Sequence, residues 1–127
     1  MVAVLGAWHE HHEVAAQELD GVTSLPGHAL LESYSVLTRL PGGLAVPARI
    51  AARELTARFA GEPLHLSPGD RAGLLRRLAD AGVLGGACYD GLVALEAAAH
   101  GYVLLTLDRR AIRTYERLGI HTRVIAT

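Results

Sequence analysis

A chain of 127 residues, half of them hydrophobic and a fifth charged, is sized for a single globular domain, residues 1–127, with room for a real core. A net charge of −1 argues against broad electrostatic attraction to nucleic acid, no apolar run approaches the ~18 residues that span a bilayer, and nothing has the form of a signal peptide, so a cytoplasmic protein with no membrane partner is expected. The single cysteine, Cys88, excludes an internal disulfide and a multi-cysteine zinc site, and the absence of lysine among the 12 basic residues excludes P-loop and Schiff-base chemistry.

Taken in chain order, residues 10–19 read as a helix with Val14, Ala15 and Leu19 on one side, stopped by Asp20-Gly21. Next comes a helix over 29–40, with Leu30, Ser33, Val36, Leu37 and Leu40 as its apolar stripe and Glu32, Ser35 and Arg39 opposite. Pro47 opens another helix, in which Ala51, Leu55 and Phe59 recur every four residues. Pro63-Leu64-His65-Leu66 reads as a short strand. Ser67-Pro68-Gly69-Asp70 is a helix start, with a serine cap, proline first and an acid third; Leu74, Leu75 and Leu78 are its buried side.

From Asp90 to His100 the pattern is apolar nearly all round apart from Glu96, so this helix should be buried on most of its surface. Gly101 stops it, Tyr102 to Leu107 form the clearest strand, a helix spans 109–118, and Thr122 to Ala126 make a last strand. Alternating helices and short apolar strands predict an α/β fold in three layers, with a mostly parallel central sheet flanked by helices.

Three acids stand in apolar or small-residue surroundings: Glu32, Asp90 in Cys88-Tyr89-Asp90-Gly91-Leu92-Val93, and Asp108 closing Val103-Leu104-Leu105-Thr106-Leu107-Asp108. Strand alternation points Thr106 and Asp108 to one side. Each acid also has a plain structural reading: Asp108 and Asp90 as helix caps, Glu32 as a solvated helix residue. Together they sit where helices begin or strands end, the place where open α/β sheets gather ligands. Three carboxylates in one crevice repel one another unless a hard cation neutralises them, which points to Mg²⁺ or Mn²⁺.

These residues carry a resemblance. Leu30-Leu31-Glu32-Ser33-Tyr34-Ser35-Val36-Leu37-Thr38-Arg39-Leu40 resembles the segment around the second acid of PIN-domain ribonucleases. Tyr89 to Leu95, His100 to Ala111 and Tyr115 to Ile120 are similar to the segments of the third and fourth acids and the closing helix, with VapC-like toxins of bacterial toxin–antitoxin pairs the best match. The resemblance implies metal-dependent hydrolysis of RNA phosphodiester bonds to 5′-phosphate and 3′-hydroxyl ends, and a homodimer neutralised by a cognate antitoxin. It makes Glu32, Asp90 and Asp108 ligands of Mg²⁺ or Mn²⁺ and Thr106 a hydroxyl that orients a ligand or water. The antitoxin and dimer contacts are expected on the apolar helices between Ala29 and Phe59, and Arg109 and Arg110 could meet RNA phosphates.

The family pattern opens with a strand ending in an Asp, whereas Met1-Val2-Ala3-Val4-Leu5-Gly6-Ala7-Trp8-His9-Glu10 matches the segment just after that Asp. Either the native start lies upstream, or residues 2–5 serve as the first strand and one ligand is lost, which leaves a catalytically impaired module that keeps partner binding. Losing about four or five buried apolar residues at ~1.5–3 kcal/mol each would cost about 6–15 kcal/mol, comparable to the ~5–15 kcal/mol stability of a whole domain. The segment His9-Glu10-His11-His12-Glu13 lacks the His-Glu-x-x-His arrangement and reads as a polar helix start rather than a zinc site. A phosphatase or receiver-like protein with an Asp nucleophile is disfavoured by the missing lysine and the missing Asp-x-Asp. With three acids in place of four, purified 1–127 is expected to cleave RNA weakly or not at all in Mg²⁺. Robust Mg²⁺-dependent cleavage that Asp90→Ala abolishes would contradict this.

Overall fold

The computed structural model describes residues 24–106 and 109–124. The predicted helix over 10–19, the segment 2–5, the histidine-rich stretch 9–13 and Asp108 lie outside the described residues.

The first described helix, α1 (Gly27–Thr38), begins two residues earlier than the apolar spacing predicts. Pro26 precedes it with φ −51° and carries no side-chain cap, so the first free N–H groups find partners elsewhere in the fold. Gly27 N–H donates to the Leu64 carbonyl at 2.8 Å, and His28 N–H donates to Glu96 Oε1 at 3.0 Å. Ala29, Ser33 and Leu37 are buried along α1, and the Ser33 hydroxyl donates to the Ala29 carbonyl at 2.7 Å.

Helix α2 (Ala48–Arg58) starts after Pro47, and its four-residue repeat packs as the sequence predicts. Ala51, Leu55 and Phe59 are buried with Leu25 and Leu37, flanked by Leu30, Tyr34, Leu40 and Val46. The expected strand at Pro63 to Leu66 is a correction: among the described residues it reduces to one parallel bridge, Pro26 with Leu64. The bridge uses the N–H groups of Leu64 and Gly27, and α1 begins at Gly27, so the pairing cannot run on past Leu64.

Ser67 caps as expected, its Oγ accepting from Asp70 N–H at 3.1 Å. The helix it starts is short, however: α3 (Pro68–Ala72) stops at Gly73, and α4 (Leu74–Asp80) restarts after it. Leu78 is buried and Leu74 packs beside it, but Leu75 is 79% exposed, which corrects the predicted stripe. Leu74 and Leu78 lie one turn apart on a single face, and Leu75 is rotated about 100° away from Leu74. The helix ends at Gly82 (φ 71°), where Gly82 N–H donates to Ala79 O and Val83 N–H to Leu78 O, the paired bonds of a left-handed glycine cap.

The most buried helix is α5 (Ala87–Ala99), with Gly91 and residues 93–97 all inside. Its start, three residues before Asp90, overturns the reading of Asp90 as an N-terminal cap: Asp90 lies in the first turn and Gly86 occupies the cap position. At Gly91 an added Cβ would lie 2.8 Å from Leu78 Cδ2, so the missing side chain is what allows α4 to approach α5 closely.

Strand β1 (Leu104–Thr106) is succeeded by a 3₁₀ turn at Arg109–Ala111, α6 (Ile112–Arg117) and β2 (Thr122–Val124). The strands pair in parallel, Leu104 with Thr122, Leu105 with Arg123 and Thr106 with Val124. Helices packed on a parallel strand pair give the predicted α/β class. Around β1, Leu104 shares a core with Ala29 of α1, Val93, Ala94 and Ala97 of α5, and Ala111 and Tyr115 beside and within α6. Among the described residues no helix is long and apolar enough to cross a membrane.

Leu78→Ala should destabilise the domain by about 2–5 kcal/mol, while Leu75→Ala should stay within about 0.5 kcal/mol of the parent. Urea denaturation of the two variants checks the difference; equal losses would mean that α4 presents the other face.

Candidate active site

The three described residues singled out from the sequence, Glu32, Asp90 and Thr106, sit on α1, α5 and β1, and these elements meet in the one core that contains Ala29, Val93, Ala94 and Leu104. Thr106 is fully buried at the end of β1, the end at which parallel sheets present ligands. Asp90 is half-buried in the first turn of α5. Among the described residues no three His, Cys, Asp or Glu side chains gather into a ready-made metal cage.

Glu32 is the informative acid. Its side chain is 32% exposed, yet its Oε1 is buried and accepts no hydrogen bond of proper geometry from any described group. His28 Nε2 lies 2.7 Å from that oxygen, one helical turn earlier, but the contact is a close electrostatic approach and not a directed bond. A buried carboxylate oxygen without a full partner is costly, and its hard-oxygen chemistry suits a divalent cation. On this ground Glu32 fits the donor chemistry that Mg²⁺ or Mn²⁺ takes.

Two side chains, His28 and Tyr89, join the helix of Glu32 to the first turn of α5, and a third fixes the start of α1. The His28 ring stacks on Tyr89, the neighbour of Asp90, with centroids 5.3 Å apart and planes within 7°. Glu96, 2% exposed, accepts the His28 N–H with Oε1 and holds Oε2 3.5 Å from His65 Nδ1. His65 in turn packs against Gly27, where a Cβ would lie 2.1 Å from His65 Cε1, and its carbonyl lies 2.9 Å from His100 Nε2.

Along the chain, His28, His65 and His100 read only as scattered surface or satisfied histidines, and Tyr89 shows no role. Glu96 does carry a signal, as the charge that interrupts an apolar helix, and His28 stands four residues before Glu32, one helical turn away. Arg109 and Arg110 are exposed on the turn beyond β1. Cys88 is half-buried and free.

An α/β core that gathers Glu32 on α1, Asp90 on α5 and Thr106 at a strand end fits a class: the PIN domain matches residues 1–117, and the chain belongs to the PIN-domain family. Within that family it is VapC-like. It is 49% identical over 124 residues to ribonuclease VapC27 of Mycobacterium tuberculosis, covering 98% of this chain and 83% of the relative. It is 43% identical over 129 residues to ribonuclease VapC40 of the same organism, covering 98% and 93%. No solved structure matches the chain significantly.

Glu96→Ala should remove the acceptor that caps α1 and cost about 1–2 kcal/mol, whereas Glu96→Gln, which keeps an oxygen at that place, should lose less. Thermal or urea denaturation separates them; an Ala variant as stable as the parent would show that the buried carboxylate does not hold α1.

Proposed function

We propose that this chain is a metal-dependent endoribonuclease toxin that hydrolyses RNA phosphodiester bonds and is neutralised by a cognate antitoxin. Two relatives that match nearly all of the chain are named ribonucleases. The observation that carries the metal-dependent part is the buried Glu32 Oε1, an acceptor left without a directed hydrogen bond beside the helix that bears Asp90.

Glu32, Asp90 and Asp108 would hold Mg²⁺ or Mn²⁺, as oxygen donors suited to a hard cation. When bound, the cation supplies Lewis-acid neutralisation of the charge that builds on the phosphodiester oxygens. The protein's own part would be to keep these acids close despite their repulsion; the core around Ala29, Ala94 and Leu104, shared by α1, α5 and β1, supports that reading. Thr106, buried at the strand end, supplies a hydroxyl that orients a ligand or water. Arg109 and Arg110 offer guanidinium donors to phosphate oxygens from an exposed turn. With a net charge of −1, RNA contact rests on such local cations and not on the field of the whole molecule.

The domain works in the cytoplasm as a homodimer bound by its antitoxin. The exposed Leu31, Leu44 and Ile50, all within or between α1 and α2, support that region as the contact surface.

Titration of the full chain with Mn²⁺ tests the reading. Mn²⁺ should raise the melting temperature of the parent, Glu32→Gln and Asp90→Asn should lose most of that gain, and any residual RNA cleavage at saturating Mn²⁺ should vanish in Asp90→Asn. A parent that ignores Mn²⁺, or variants that respond as the parent does, would sink it.

A further inference from the structure

We propose that His28 is a positioning residue for the cation site: with Tyr89 it forms a clamp that fixes the Glu32 carboxylate on α1 relative to Asp90 on α5. This rests on the reading of Glu32 and Asp90 as cation ligands. Three separate contacts hold His28. Its backbone N–H is bound by the buried Glu96 Oε1 at 3.0 Å, its ring lies on the Tyr89 ring at 5.3 Å, and its Nε2 stands 2.7 Å from Glu32 Oε1.

An ordinary i, i+4 pair on a helix surface is free to exchange rotamers and is worth little to stability. This pair differs in two respects. The imidazole is pinned from the opposite helix by a nearly coplanar aromatic ring, and the carboxylate oxygen it faces is buried. Nε2 stands 2.7 Å from Oε1, so the ring edge limits where that oxygen can lie. The imidazole thereby sets the torsion of the Glu32 carboxylate, and with it the direction in which that group meets a cation.

The clamp also spans the two helices. Tyr89 is the chain neighbour of Asp90, so a ring stacked on Tyr89 ties the first turn of α5 to α1 where the two acids are to converge. Outer-shell groups that orient metal ligands commonly change metal affinity by about 10–100-fold when removed. His28 stands in that relation to Glu32.

The experiment is Mn²⁺ binding by the full chain, measured by electron paramagnetic resonance, alongside melting temperatures in a chelator. His28→Phe keeps a flat ring for Tyr89 but removes Nε2; it should weaken Mn²⁺ binding about 10-fold or more while the metal-free melting temperature changes little. His28→Gln, whose amide N–H₂ can reach Oε1, should recover part of the loss. Tyr89→Phe should bind as the parent does, and Tyr89→Ala should weaken binding; the alanine variant carries the test if His28→Phe does not fold. Parent-like Mn²⁺ affinity in His28→Phe and Tyr89→Ala, with binding lost in Glu32→Gln, would overturn the clamp and leave the proposed function standing. Parent-like affinity in Glu32→Gln would instead overturn the metal-site reading beneath it.

Discussion

The placement of α1 depends on a carboxylate from another helix. The first turn of α1 has no acid and its proline cap position offers no side-chain acceptor. Glu96, buried in the last turn of α5, supplies the acceptor for His28 N–H, and the Leu64 carbonyl takes the N–H of Gly27. A negative charge at a helix N-terminus is favoured by the helix dipole, and a hydrogen bond to a charged group contributes more than one between neutral partners. The interaction thus makes a buried acid tolerable and sets where α1 starts and which way it runs.

The rest of the described structure is arranged around that junction. Small residues, Ala29 on α1 and Ala94 and Ala97 on α5, let the two backbones come close, and both pack on Leu104 of β1. Tyr115 closes the same core from α6, between the paired strands in sequence. The sharp reversals needed to return the chain after α4, α5 and α6 fall on Gly82, Gly101 and Gly119, each with φ near +70°, a conformation that costs an L side chain about 1–2 kcal/mol. The fold brings three elements, each bearing one functional candidate, to a common centre through packing of apolar and small side chains, and polar groups decide their orientation.

That division of labour suits a nuclease of this family. In the proposed site, acids sharing a cation would repel one another, so their geometry would have to be imposed by parts of the protein that gain from contact. The hydrophobic core supplies the force, and the junction of Glu96, His28, His65 and Gly27 supplies the alignment. The molecule is near-neutral, and the exposed arginines after β1 are local positive charges on that background.

Much of this is readable along the chain. The four-residue repeat of Ala51, Leu55 and Phe59, the Ser67 cap and the near-uniformly apolar run after Asp90 specify helices, because local periodicity and capping report directly on which face is buried. The isolated acids and their flanking residues carry the PIN resemblance by themselves. Groups distant in sequence set the features that local patterns hide. The start of α1 depends on an acceptor 68 residues away, the pairing of Leu64 with Pro26 stops where α1 begins, and His28 meets Tyr89 only when α1 and α5 pack. Composition and spacing determine which elements form and which chemistry they carry; the partners of a helix end, a buried acid or a histidine ring are chosen by tertiary contact, since hydrogen bonds and stacking require a neighbour that local sequence does not supply.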